Sequence, residues 1–141
     1  MLMVLGATNT PAQAVAVGVP RDTSPIAVVN AYVAAFNAKD LDAMMAHVSP
    51  GLVWLNVGGD SATLGGRGVD AFRRLLAGYF REVPTARSEL LVVRATGPWV
   101  TTHERTRWSA PPAGAGGQSS VVVYEVRAGL VQRAWYYPAE P

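Results

Sequence analysis

The stretch VVNAYVAAFNAKDLDAMMAHVSPGLVWLNV, Val28 to Val57, decides the fold, because it reads as a helix, a second helix and a strand in immediate succession. Just upstream, Ser24-Pro25 supplies an N-cap followed by proline at the first helical position. Ile26, Val29, Tyr32, Val33 and Phe36 then recur at three- and four-residue spacing, which predicts an amphipathic helix ending near Asn37 to Lys39. Asp40 caps a second, short helix with Leu41, Met44, Met45 and Val48 as its buried stripe, stopped by Ser49-Pro50-Gly51. LVWLNV, Leu52 to Val57, follows as the first strand and is closed by Gly58-Gly59-Asp60.

Working outward, Ser61 to Leu64 reads as a short strand before the loop Gly65-Gly66-Arg67-Gly68. A third helix carries Phe72, Leu75, Leu76, Tyr79 and Val83 on one face and stops at Pro84. The rest is strand: Ser88 to Ala95, Trp99 to Ser109, Ser119 to Val126 and Leu130 to Tyr137. These are separated by Thr96-Gly97-Pro98, by the loop APPAGAGGQ and by Arg127-Ala128-Gly129, the punctuation of an antiparallel meander. Helices first and strands afterwards give an α+β layer pair, with the helices on one face of a curved sheet.

With 141 residues, 50% hydrophobic and 16% charged, the chain has enough material for one sizeable core. The formal charge is +2, but the arginines are scattered and no stretch interleaves basic and stacking aromatic residues, which argues against a nucleic-acid partner. Cysteine is absent and the two histidines are far apart, so no disulfide, thiolate or metal site is expected, and no cofactor. No apolar run reaches the roughly 20 residues of a membrane span. The opening MLMVLGATNTPAQA ends in Ala12-Gln13-Ala14, the small-x-small pattern of a clipped export signal, although a positively charged start is missing. Residues 1–23 are therefore read as a clipped signal or ragged start plus linker, residues 24–141 as one domain, and localisation as open between exported and cytoplasmic.

THERTRW, Thr102 to Trp108, is the densest run of charge, and it sits inside a strand. Alternation puts His103, Arg105 and Arg107 on one face and Thr102, Glu104, Thr106 and Trp108 on the other. One register presents Arg105 to a pocket; the other buries Glu104 as a carboxylate whose pKa an apolar setting would raise.

The chain resembles the nuclear-transport-factor-2-like superfamily, in its branch of SnoaL-like polyketide cyclases, ketosteroid isomerases and limonene-epoxide hydrolases. Val28 to Val57 resembles that family's helix pair and first strand, GGRGVDAFRRLLAGYF its third helix, and VVVYEVRAGLVQRAWYYP its last hairpin. The resemblance implies a cone-shaped curved antiparallel sheet, a cystatin-like roll, with three helices from the N-terminal half packed on its concave face around an apolar cavity. Such a fold hosts several activities, so function has to be carried over residue by residue.

Tyr32 falls where the isomerases hold an oxyanion-donating tyrosine, but their base position falls on Asn56 and their late-strand aspartic acid near Val122. Trp54-Leu55-Asn56 resembles the first-strand pair of the hydrolases, and Glu104-Arg105 their Glu-Arg pair, which favours the register with Arg105 facing the cavity. The hydrolase carboxylates fall on Arg107 and near Tyr136. Both known carboxylate sets are thus unmatched.

The expected ligand site is Tyr32, Trp54, Asn56, Arg105, Val122 and Tyr136, with Glu104 or His103 as base and Tyr32 or Arg105 stabilising developing charge. An asparagine within an apolar strand is expected to be buried and to need a hydrogen-bonding ligand or water. Two functions stay open. One is a lyase, isomerase or cyclase acting on an apolar or aromatic carbonyl compound. The other is a non-catalytic carrier or dimeric accessory module. Tyr124, Trp135, Tyr136 and Tyr137 divide between cavity and outer sheet face, where an aromatic surface would suit a homodimer.

Overall fold

The computed structural model describes residues 18 and 20–137. The expected export signal, residues 1–14, lies outside them. Three helices, α1 (Pro25–Ala38), α2 (Leu41–Met45) and α3 (Val69–Glu82), pack with six strands, β1 (Val48–Gly58), β2 (Ser61–Arg67), β3 (Arg87–Thr96), β4 (Trp99–Ala110), β5 (Gly114–Arg127) and β6 (Leu130–Tyr136). The strands form one curved, unclosed sheet in the order β2-β1-β6-β5-β4-β3. Every neighbouring pair is antiparallel except β1 with β6, which run parallel. No helix among the described residues is long and apolar enough to cross a membrane.

The first helix buries Val28, Val29, Tyr32, Val33 and Ala35. Ser24 occupies its N-cap position without a side-chain cap bond, and Pro25 supplies the preset first turn. At its other end Asn37 acts as a substitute strand edge: its Nδ2 donates to Ser88 O at 2.8 Å and its Oδ1 accepts from Ser88 N at 2.7 Å. Lys39 turns the chain in the left-handed region at φ 58°. Its ammonium bonds Ala86 O and lies 5.1 Å from the centroids of Phe36 and Phe80. These contacts fix α1 across β3. Asp40 caps α2 as expected, accepting from Ala43 N at 2.9 Å.

Two boundaries differ from the sequence reading. Val48 was expected on the helical stripe of α2, but it opens β1 and pairs with Val131. Pro50 and Gly51 lie where the β1–β6 register shifts, so the proline sits in a stretch with no ladder bond to lose. The loop APPAGAGGQ is mostly strand, because Gly114 to Gln118 pair with Ala110 to Thr106 and lengthen the β4–β5 hairpin.

Gly65 and Gly66 also belong to a strand rather than a loop, and their lack of side chains has a steric cause. A Cβ at Gly66 would lie 2.2 Å from the Trp54 ring, and one at Gly65 2.4 Å from it. The indole therefore lies flat over β2, against Phe72 of α3 at 5.0 Å between ring centroids. Overpacking at such a contact costs about 1–3 kcal/mol. Gly66→Ala should destabilise the fold by that amount in urea titrations. Trp54→Leu should cancel most of the penalty in the double variant, since the three atoms nearest the added Cβ all belong to that ring.

Candidate functional site

Alternation along β4 and β5 sends Thr102, Glu104 and Thr106, with Gln118, Ser120, Val122 and Tyr124, to the inner face beneath the helices. Cross-strand pairing sets Glu104 opposite Ser120 and Thr102 opposite Val122. Glu104, Thr106, Gln118, Ser120, Val122 and Tyr124, with Tyr32, Phe36, Trp54, Phe72 and Leu76, wall a pocket of about 410 Å³. Its helix side is apolar apart from the hydroxyls of Tyr32 and Tyr79. Its β4–β5 side carries neutral hydroxyls and an amide, and among the described residues Glu104 is the one charged residue in the lining.

The carboxyl of Glu104 is held at one oxygen. Tyr124 donates its hydroxyl to Oε1 at 2.7 Å, and Thr102 donates Oγ1 to the same atom at 2.9 Å. Thr102 and Tyr124 are themselves buried, at 1% and 2% exposure, so neither donor exchanges freely with water. Burial disfavours the ionised form and pushes the Glu104 pKa up, and the two hydrogen bonds oppose only part of that shift.

Tyr32 and Tyr136 have interacting hydroxyls, and both lie near enough to Glu104 to sense its charge. Burial raises the pKa of Tyr32, Tyr124 and Tyr136, which keeps all three phenols protonated as donors near neutral pH. The Tyr32 ring packs edge-on to Tyr124 at 6.1 Å between centroids and stacks with Phe72 at 6.5 Å. Three phenols and one carboxyl from α1, β4, β5 and β6 thus converge at the base of the pocket.

The register of THERTRW is the reverse of the one the Glu-Arg resemblance favoured. His103 and Arg105, expected at the cavity, project from the outer face, where His103 pairs with Val92 and Val121 and Arg105 with Glu89 and Ser119. The parity is set by packing: Thr102 and Thr106 are buried, and their alternates are half-buried or exposed. Trp108 shares the Glu104 face but lies beyond the pocket, over Gly116.

Tyr32, Trp54, Val122 and Tyr136 do line the pocket, and Asn56 joins them from the end of β1. The expectation that Asn56 is buried is corrected, because it is exposed at the rim, where β1 runs out between Gly58 and β2. Tyr124 and Thr102, the two groups that hold Glu104, were absent from the expected site. Strand period 2 links Tyr124 to Val122 and Thr102 to Glu104, so the signal was present.

A sheet of this order, three helices over its concave side and a pocket between them define an α+β cone of the NTF2-like superfamily. Residues 29–134 match the SnoaL-like domain, and the chain belongs to that family. No curated protein sequence matches it. Among solved structures it is similar to an LEH-like epoxide hydrolase from M. tuberculosis, at 25% identity and TM-score 0.70, covering 86% of each chain. It is also similar to an uncharacterised cystatin-fold protein of Novosphingobium aromaticivorans, at 22% identity and TM-score 0.69, covering 80% of this chain and 97% of that one. A SnoaL-like polyketide cyclase of Agrobacterium tumefaciens gives 16% identity and TM-score 0.68, covering 83% and 91%.

The raised pKa of Glu104 makes stability depend on pH with a definite sign. The folded state binds this proton more tightly than the unfolded chain does, so the carboxyl's contribution falls as pH rises from the ordinary value of 4.5 through its folded pKa. Glu104→Gln keeps an acceptor for Tyr124 and Thr102 and cannot ionise. Urea unfolding should therefore show the glutamine variant gaining stability over the parent between pH 4.5 and pH 8, with no such gain below the window.

Proposed function

We propose that this domain is a proton-transfer enzyme of the lyase, isomerase or cyclase type, acting on an apolar or aromatic carbonyl compound. The observation that carries the reading is Glu104: a carboxyl with raised pKa, tethered at Oε1 and set in a pocket with no other charge among the described residues. A structural carboxylate gains nothing from such a position, whereas a general base needs it.

The chemistry follows from the geometry. Tyr124 and Thr102 occupy Oε1, which leaves Oε2 of the ionised carboxyl to accept a proton from the carbon next to a substrate carbonyl. The C–H electron pair becomes the enolate double bond, and charge moves to the carbonyl oxygen. Tyr136 and Tyr32 are the neighbouring donors for that oxyanion, and their protonated state is the one required. Return of the Glu104 proton to a different carbon completes an isomerisation. Attack of the enolate carbon on a second carbonyl, followed by protonation of the new alkoxide, completes a cyclisation. Trp54, Phe36, Phe72 and Leu76 would bury the rings.

Wholesale carry-over of either family mechanism is not supported, since Asn56 has no proton-accepting group and His103 and Arg105 face away. The test uses 2-tetralone, an aromatic ketone with exchangeable α-protons, followed by NMR in deuterated water. The parent should accelerate α-deuteration, Glu104→Gln should lower the rate by about 10²–10⁴-fold, and Tyr136→Phe should lower it less. Tight binding of 2-tetralone with equal exchange in parent and Glu104→Gln would instead favour the carrier reading.

A further inference from the structure

The pocket leaves one group of charged side chains unused. Arg87 and Glu89 of β3, and Arg105 and Arg107 of β4, project from the outer face of the sheet, because Ser88 and Thr106 between them meet on the inner face at 3.1 Å. The register sets Arg87 directly opposite Arg107, and Arg105 opposite Glu89. Like charges directly opposite on antiparallel strands repel. Among the described residues none of these three arginines forms an ion pair; the pairs present are Asp42 with Arg73, and Glu125 with Arg127 and Arg133.

The surface around them is hollow. A concavity of about 720 Å³ at this end of the sheet brings Arg87, Arg105 and Arg107 together with Glu89 and Ser109, and it reaches round to Ser88, Trp108 and Gly116 of the other face. A second, of about 420 Å³, lies on the other side of Arg105 and Arg107, against Gly117 and Ser119. Gly117 matters here because a Cβ at that position would meet the Arg107 stem at 3.4 Å. The same Cβ would meet Thr106 O at 3.2 Å, so the missing side chain lets β5 and the Arg107 stem lie close together.

We propose that this outer-face cluster is a binding site for a tetrahedral oxyanion, a phosphate or sulfate group, free or esterified to a small molecule. Guanidinium groups match such oxygens with paired N–H donors, and an anion between Arg87 and Arg107 turns their repulsion into attraction. One carboxylate against three guanidiniums leaves the hollow positively charged. A hollow of about 720 Å³ has room for a small anion between the three arginines. The three arginines project from the opposite face of the sheet from Glu104, none of them lines its pocket, and the site does not depend on the function proposed for that residue.

Thermal melts at constant ionic strength would compare sodium chloride with millimolar inorganic phosphate and phenyl phosphate. The parent should show a saturable rise in Tm with both phosphates beyond chloride. Arg107→Gln should raise the melting temperature without ligand, by removing the cross-strand repulsion, and should lose the phosphate response. Glu104→Gln should keep the full response. Saturation by phenyl phosphate at lower concentration than by inorganic phosphate would identify an esterified ligand, and the reverse order a free anion. No rise beyond chloride, an undiminished response in both Arg105→Gln and Arg107→Gln, or binding of polyglutamate in place of phosphate would each overturn the proposal.

Discussion

The site depends on one constraint: a carboxyl withdrawn from bulk water must be hydrogen-bonded or lose its charge. Glu104 meets it halfway. Two donors, Tyr124 and Thr102, stabilise the ionised form at a single oxygen, while burial works against ionisation and keeps the pKa raised. Neither force dominates fully, and the carboxyl can therefore both take and return a proton. Removing the donors would favour a permanently neutral acid; full solvation would give an ordinary carboxylate with no driving force for proton abstraction.

The scaffold serves that balance. Tyr124 and Thr102 are fixed by the β4–β5 ladder, in which the single Thr102 hydroxyl proton is shared between Glu104 Oε1 at 2.9 Å and Val122 O at 3.2 Å. Asn37 and Lys39 tie α1 to the start of β3, which holds the Tyr32 ring against Tyr124 and Phe72. On the far wall, Gly65 and Gly66 give the Trp54 indole room to lie against β2. A change of one methyl group at that wall would reach the pocket through Trp54 and Phe72, because interiors are close-packed.

Much of this was legible in the sequence. The three- and four-residue spacing of Val29, Tyr32, Val33 and Phe36, and of Phe72, Leu76 and Tyr79, located α1 and α3, and Asp40 marked the start of α2. The boundaries that failed are ones where local signals compete with tertiary pairing. Val48 fits a helical stripe until β6 offers it a partner, and the glycines of APPAGAGGQ read as loop until β4 pairs with them. The orientation of THERTRW was harder. Polar residues occupy both faces of that strand, and its partner Val121-Val122-Val123 is apolar on both, so neither strand has an alternating pattern to break the tie. The Glu-Arg resemblance pointed one way and the packing of Thr102 and Thr106 decided the other. Asn56 misled for a related reason: an apolar strand does not reveal where it leaves the core.

The account rests on the protonation of one group, and it can be read directly. A protein labelled with carboxyl-¹³C glutamate, assigned by comparison with Glu104→Gln, would give the Glu104 titration by NMR. The account predicts a midpoint above the ordinary value of 4.5, moving further up when Tyr124→Phe removes one donor to Oε1. A midpoint at or below 4.5 that does not respond to Tyr124→Phe would contradict it, because Glu104 would then be a solvated carboxylate rather than a buried base.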